Sequence, residues 1–246
     1  MSRYKLTIEY DGHGYVGWQR QDNGPSIQQA LEEAVTAYSQ EEVVVHGAGR
    51  TDAGVHALGQ VVHVNIRRDD DPAVVANAVN AYLRPQPISV LSAERVGEDF
   101  HARFSATRRT YVYRIINRKA PLAVEANRAW RVPQDLDLKE MTKAAQVLVG
   151  YHDFSSFRAS VCQAKSPLRT LEVLSVSRLE NCLTIKACAP SFLHHQVRNI
   201  VGTLKLVGQG RWSADDVKKV LAARDRGMAG PTAPACGLYL ISVGYS

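Results

Sequence analysis

The chain has 246 residues, 45% of them hydrophobic and 22% charged, which is enough apolar material for one large domain or two smaller ones. No apolar run reaches the roughly 18 residues of a membrane span. The opening MSRYKLTIEYDG also lacks the apolar stretch and cleavage site of a secretory signal, so the expectation is a soluble, cytoplasmic protein. Four scattered cysteines with no C-x-x-C pair argue against a disulfide framework and structural zinc, and the eight histidines form no H-E-x-x-H; no metal is expected. Net charge is +6 and unevenly spread. Residues 1–106 carry 9 Lys+Arg against 14 Asp+Glu, whereas residues 107–246 carry 21 against 10. Arginine outnumbers lysine 21 to 9, and its planar fork suits bidentate contact with phosphate. A solvated basic surface and a polyanion partner both fit that balance.

The elements follow from hydrophobic periodicity. Residues 3–10 read as a strand ending at the turn signal Asp11-Gly12. Residues 26–39 read as a helix with Ser26 and Gln29 as a capping box and an apolar stripe through Ile27, Leu31, Val35 and Tyr38. Strands are predicted at 43–48 and 60–66, a helix from Pro72 to Leu83, and a strand at 88–96. The second half repeats the order: a strand at 110–117, a helix at 137–149, strands at 168–179 and 182–189, and a helix at 192–207. An extra helix begins after Ser213, and GLYLISVGY closes as a strand. Both halves match βαββαβ, so the expected fold is α+β. It comprises two fused ferredoxin-like units, residues 1–106 and 107–246, forming a largely antiparallel mixed sheet with helices packed on one face. The first unit would carry the catalytic loop, and the basic second unit would complete the cleft.

The densest candidate for chemistry is GAGRTDAGVHALGQ, residues 47–60, between two predicted strands. Its glycines permit positive φ and close backbone approach. Its spacing matches neither G-x-G-x-x-G nor G-x-x-x-x-G-K-[ST], and an aspartate stands where amides would hold an anion, so a phosphate loop is excluded. Taken alone, Arg50 and Asp52 could simply be solvated residues of a tight hairpin.

Context changes that balance. IEYDG (8–12), GWQRQ (17–21), AGRTDAGVHALGQVVH (48–63), FHARFSA (100–106), TYVYR (110–114), DFSSFRA (153–159), HHQVRNIVG (194–202) and APACGLYL (233–240) run in order along the chain. In these blocks it resembles the tRNA pseudouridine synthase A family over almost its whole length. The resemblance implies two fused ferredoxin-like units, usually in a homodimer, acting on uridines on the 3′ side of the tRNA anticodon stem-loop. It makes Asp52 the catalytic carboxylate and Arg50 the neighbour that helps displace the target base. Tyr111 would lie against the uracil, Arg198 would pair with the aspartate, and Leu238 would form an apolar wall of the pocket.

The chemistry asks for such groups. Converting uridine to pseudouridine breaks the N1–C1′ bond and rejoins uracil through C5; nothing is oxidised, so no cofactor is expected. An ionised carboxylate can stabilise the sugar cation, attack carbon or take the C2′ proton, and the residues alone leave these open. A tyrosine ring can stack on uracil; Tyr113 has the same strand parity, and Tyr111 is preferred by motif position. Arg198 borders the apolar stripe of Val197, Ile200, Val201, Leu204 and Val207, with Gly202 leaving room one turn on. Residues 95–131 hold nine Arg and Lys against three acids, interleaved with Phe100, Phe104, Tyr111 and Tyr113, and Trp18-Gln19-Arg20 reads as a second RNA-contact loop. A non-catalytic RNA-binding protein and a base-releasing glycosylase are the rival readings. Retention of Asp52 speaks against the first, and the single aspartate among arginines, without a paired carboxylate, against the second.

Overall fold

The computed structural model describes residues 1–245. Contacts divide the chain into two compact units: Met1–Thr107 with the chain from Tyr239 onward, and Arg108–Leu238.

In the first unit β1 (Ser2–Tyr10) leads to α1 (Ile27–Ser39), β2 (His46–Gly47), β3 (His56–Ile66), α2 (Pro72–Leu83) and β4 (Ile88–Val96). β1 is central and pairs antiparallel with both β3 and β4, while β2 pairs antiparallel with the far side of β3. That is the split βαβ arrangement that the helix-separated strands demand. Tyr4, Leu6, Ile8 and Tyr10 are buried at alternate positions of β1, as period-2 geometry requires. The helices answer with apolar residues one turn apart, Ile27, Leu31 and Val35 on α1 and Val75, Val79 and Leu83 on α2. β3 is covered on both faces, because Val61 also packs with Ala48, Ala102, Phe100, Val243 and Tyr245.

In the second unit β5 (Ala106–Asn117) is followed by β6 (Trp130–Val132), α3 (Leu138–Gln146), β7 (Gly150–Asp153), β8 (Leu168–Leu171), β9 (Val173–Leu179) and β10 (Cys182–Ala189). α4 (Gln196–Gly208) and α5 (Ala214–Ala223) precede the closing β11 (Leu238–Tyr245). β10 pairs antiparallel with β5 and β9, and β7 with β8 forms a separate two-stranded sheet. β11 leaves the second unit at Leu238 and runs parallel to β3 through Tyr239↔His56 and Leu240↔Ala57. The α+β class and the largely antiparallel, mixed pairing are as the sequence implies, with β11 on β3 and β6 on β5 as the parallel pairs.

Several elements differ from the periodicity reading, among them the unanticipated β6 and β7, and three of the differences have a local cause. The strand expected at 43–48 keeps only His46 and Gly47, because the Val45 amide donates to the Glu32 carboxylate (3.2 Å) instead of a ladder partner. The strand expected at 168–179 changes partners at Glu172, so it splits into β8 and β9. The helix expected from 192 starts at Gln196, because His195 sits in the left-handed region at φ 62°.

Candidate active site

In the first unit Asp52 lies in a loop fixed from below and from both sides. At the end of β1 the Tyr10 hydroxyl and the Thr51 hydroxyl are hydrogen-bonded at 2.8 Å in the buried interior. The Trp18 amide donates to the Thr51 carbonyl (3.0 Å), and Gly17 forms an antiparallel bridge with Asp52 itself. Gly17 holds φ +114°, and a Cβ there would meet the Thr51 carbonyl at 2.8 Å. Gly12 is tighter still, since a Cβ would stand 2.0 Å from the Val55 carbonyl. Its amide donates to the His56 Nδ1 (3.1 Å), and the buried Gln60 side chain donates to the Gly49 carbonyl (2.8 Å). The start of α1 completes the mount, with the Ile27 and Gln28 amides donating to the carbonyls of Gly17 and Trp18. Asp52 is half-buried and Arg50 is exposed on the same loop. This supplies a carboxylate whose backbone is held from several segments, beside an exposed cation.

Trp18 belongs to this mount, which corrects its reading as an RNA contact. It is 3% exposed, and its indole lies against Gly47, where a Cβ would come within 2.6 Å of the ring. Gln19 is likewise turned inward onto Gln28 (2.9 Å), and Arg20 pairs with Glu32 (3.4 Å).

In the second unit Arg198 sits on α4, half-buried, and its Nε donates to the Ala233 carbonyl (2.8 Å) while the Ala233 amide donates back to the Arg198 carbonyl (3.1 Å). The same bend of chain receives the Tyr113 hydroxyl on the Pro234 carbonyl (2.7 Å). The bend can approach α4 because Gly202 has no side chain, and a Cβ there would overlap the Pro231 carbonyl at 1.7 Å. A buried polar network holds it in place. Asn199 Oδ1 accepts from Arg226 Nη2 (3.1 Å) and from the Thr232 hydroxyl (2.7 Å), and Thr203 accepts from the Gly230 amide (3.0 Å). Asn199 and Thr203, both 0% exposed, carry no sequence signal beyond standing polar inside an apolar stripe.

The two strand tyrosines have different settings. Tyr113 is fully buried against Gly237, and that burial pushes its phenol well above the usual range, although nearby Arg198 pulls the other way. Tyr111 is half-buried, edge-on to Phe192 with ring centroids 5.2 Å apart. Leu238 is buried at the first position of β11, just beyond the 3₁₀ turn Ala235–Gly237. The first unit therefore carries Arg50 and Asp52, and the second carries Tyr111, Arg198 and Leu238.

A group the sequence reading missed is a histidine cluster. His46, His63 and His101 come from three segments of the first unit, with ring centroids 4.6–5.7 Å apart. His63 Nδ1 accepts from the Ala102 amide (3.1 Å), and burial, then its neighbours His46 and His101, lower its pKa to about 4. No local spacing announces it.

The family model described as tRNA pseudouridine synthase matches residues 6–105 and 144–246 of this chain. The chain belongs to the tRNA pseudouridine synthase family. Curated proteins named tRNA pseudouridine synthase A are similar over its full length. That of Rhodospirillum centenum is 61% identical over 245 residues, covering 100% of both chains. That of Paramagnetospirillum magneticum is 58% identical, covering 100% of this chain and 96% of its own, and that of Rhodospirillum rubrum is 58% identical, covering 99% and 87%. Within the pseudouridine synthase match lie Arg50, Asp52, Arg198 and Leu238, while Tyr111 falls between the two matched segments. The enzyme is an isomerase that acts on tRNA.

Proposed function

We propose that this chain converts uridine to pseudouridine on the 3′ side of the tRNA anticodon stem-loop, with Asp52 as the catalytic carboxylate. The observation that carries the reading is the fixed mount of Asp52 inside a chain that belongs to the tRNA pseudouridine synthase family. In the reaction the N1–C1′ bond breaks, the uracil turns, C5 bonds to C1′, the C5 proton leaves and N1 gains a proton. Atoms and electrons balance with no co-reactant. Stabilising the sugar cation, attacking carbon and taking the C2′ proton all require an anion held at a defined point near the ribose. A backbone mounted through Gly12, Gly17 and Thr51 supplies that position.

Arg198 supplies the positive charge that the family resemblance assigns to the aspartate, aimed by the Ala233 carbonyl. Tyr111 offers its ring to the uracil, Leu238 an apolar wall, and exposed Arg50 the group that moves the target base out of the stack, which a stem uridine requires. Arg226 and Asn199 hold the bend on which Arg198 rests. The family resemblance also suggests that the enzyme works as a cytoplasmic homodimer, a state that sedimentation would read directly. Among the described residues no helix is long and apolar enough to cross a membrane.

The test is to incubate unmodified tRNA with the protein, map pseudouridine along it and assay free uracil. Pseudouridine confined to the 3′ side of the anticodon stem-loop, with no free uracil, is the expected result. Modification elsewhere in the tRNA would refute the site, free uracil would make the protein a glycosylase, and tRNA binding without change would make it a binding protein.

A further inference from the structure

The block DFSSFRA and the turn after it hold chemistry that the uridine reaction does not use. Phe154 and Phe157, both 0% exposed, anchor the 3₁₀ turn Ser155–Phe157. The Asn199 side-chain Nδ2 donates to the Phe157 carbonyl (2.8 Å), and the Ser156 hydroxyl donates to the Val220 carbonyl (2.5 Å), so the chain entering Arg158 is pinned from α4 and α5. Arg158 is half-buried, with Nη2 donating to the Cys162 carbonyl (3.1 Å). Arg169 is also half-buried and lies on β8 opposite His152 of β7. Its Nη1 donates to the carbonyls of Ser166 (3.0 Å) and Leu168 (2.6 Å), and its Nε is buried without a hydrogen-bond partner.

Among the described residues neither arginine has a carboxylate at ion-pair distance, unlike Arg68, Arg108, Arg114 and Arg224, each with one within 3.3 Å, although Arg158 is near enough to Asp153 to help lower its pKa. The acid beside them, Asp153, is already engaged by Arg224 Nε (3.3 Å) and by the Ser155 amide (2.9 Å). Burial lowers Arg169's hold on its proton, opposed in part by nearby Cys162 and reinforced by a smaller repulsion from Arg158. Two partly desolvated guanidiniums facing backbone carbonyls are costly, and a buried donor without an acceptor adds to the cost. An anion would relieve both. A phosphodiester, with two acceptor oxygens and one charge, fits two guanidinium forks.

We propose that Arg158 and Arg169, with exposed Lys165 on the intervening turn, form a binding site for a backbone phosphate of the RNA substrate. The site rests on the reading of this chain as a tRNA isomerase and names a point where the second unit grips that tRNA. It is a holding site: its groups position RNA and take no part in bond making.

The test is tRNA affinity measured against salt for wild type, Arg158→Gln, Arg169→Gln and Arg169→Lys, with circular dichroism to confirm folding. Losing a phosphate contact should make the slope of log affinity against log salt shallower by about 1. Each Gln variant should show this, with roughly tenfold or greater loss of affinity at low salt. Arg169→Lys, which keeps charge and bulk, should hold the wild-type slope with an intermediate affinity, so the prediction survives even if a Gln variant fails to fold. In the wild type the Arg169 Nε–H NMR signal should move on adding unmodified tRNA and stay put with inorganic phosphate at the same phosphate concentration. Unchanged affinity and slope in the folded variants, with wild-type tRNA binding intact, would overturn this site alone. A response to inorganic phosphate equal to that for tRNA would reassign the pair to a free anion and overturn it too. Failure of the wild type to bind tRNA would overturn the functional reading itself.

Discussion

At the scale of single residues, the site depends on what is left out as much as on what is present. Gly12 and Gly17 let the segment after β1 lie directly on the Asp52 loop, with no space for even one carbon between Gly12 and Val55. Gly12→Ala must displace Val55, three residues from the proposed catalytic carboxylate of Asp52, and a backbone clash of this kind costs about 2–4 kcal/mol. Urea unfolding should show that loss, and the single-turnover rate should fall further than tRNA affinity does. Wild-type rate in the variant would show that the Gly12 contact does not position Asp52. Asp52 and Arg50 stand out in the sequence because they lie in a long glycine-rich block with a specific family resemblance, and the structure places them on one loop. Trp18 was misread because an aromatic next to Gln-Arg looks like a contact loop, and only the bare Gly47 surface, supplied from another segment, shows why it is buried.

At the scale of elements, the caps were readable and the partner changes were not. Ser26 caps α1 by accepting from the Gln29 amide (3.2 Å), as its sequence position predicts. The Gln29 side chain does not complete the box; it donates to Glu33 (2.8 Å). α1 also presents its first amides to Gly17 and Trp18, so its cap bears on the mount of the Asp52 loop. Ser26→Ala is predicted to cost about 1 kcal/mol in stability. Because Ser26 is 1% exposed and its amides lead to the Asp52 loop, kcat should fall several-fold while the Kd for tRNA holds. A stability loss with unchanged kcat would separate the cap from the site. β4 and β10 end where their periodicity ends, at 88–96 and 182–189. β2 and the break at Glu172 were illegible because they depend on Glu32 and on which strand lies alongside, facts that no local pattern encodes. The arginine run of 95–131 is likewise partly spent inside the second unit, where Arg108 pairs with Glu172 (3.0 Å) and Arg114 with Glu125 (2.9 Å).

At the scale of the whole molecule, charge is unevenly divided: the first unit is net acidic and carries the Asp52 loop, and the second carries 21 of the 30 Lys and Arg residues. The histidine cluster adds a pH dependence to the stability of the first unit. The ordinary histidine pKa is 6.5, whereas His63 is lowered to about 4 by burial and its neighbours, and His101 is lowered too, chiefly by burial. The unfolded chain therefore takes up protons first. Stability from the neutral rings is fully present above about pH 6.5, declines as pH falls from there, and the decline from His63 levels off below about 4. Protonation of His63 also removes the acceptor for the Ala102 amide. Thermal melts should show Tm falling across that window, with a shallower fall in His63→Gln. An identical slope in the variant would remove His63 as the source.

Replacing Asp52 with Asn keeps the side chain's shape and removes the anion on which the proposed reaction depends. Single-turnover pseudouridine formation and tRNA affinity are measured for the variant and wild type on the same unmodified tRNA. If Asp52 is the catalytic carboxylate, Asp52→Asn gives no detectable pseudouridine, with a Kd for tRNA within a few-fold of wild type. Turnover near the wild-type rate would contradict that role.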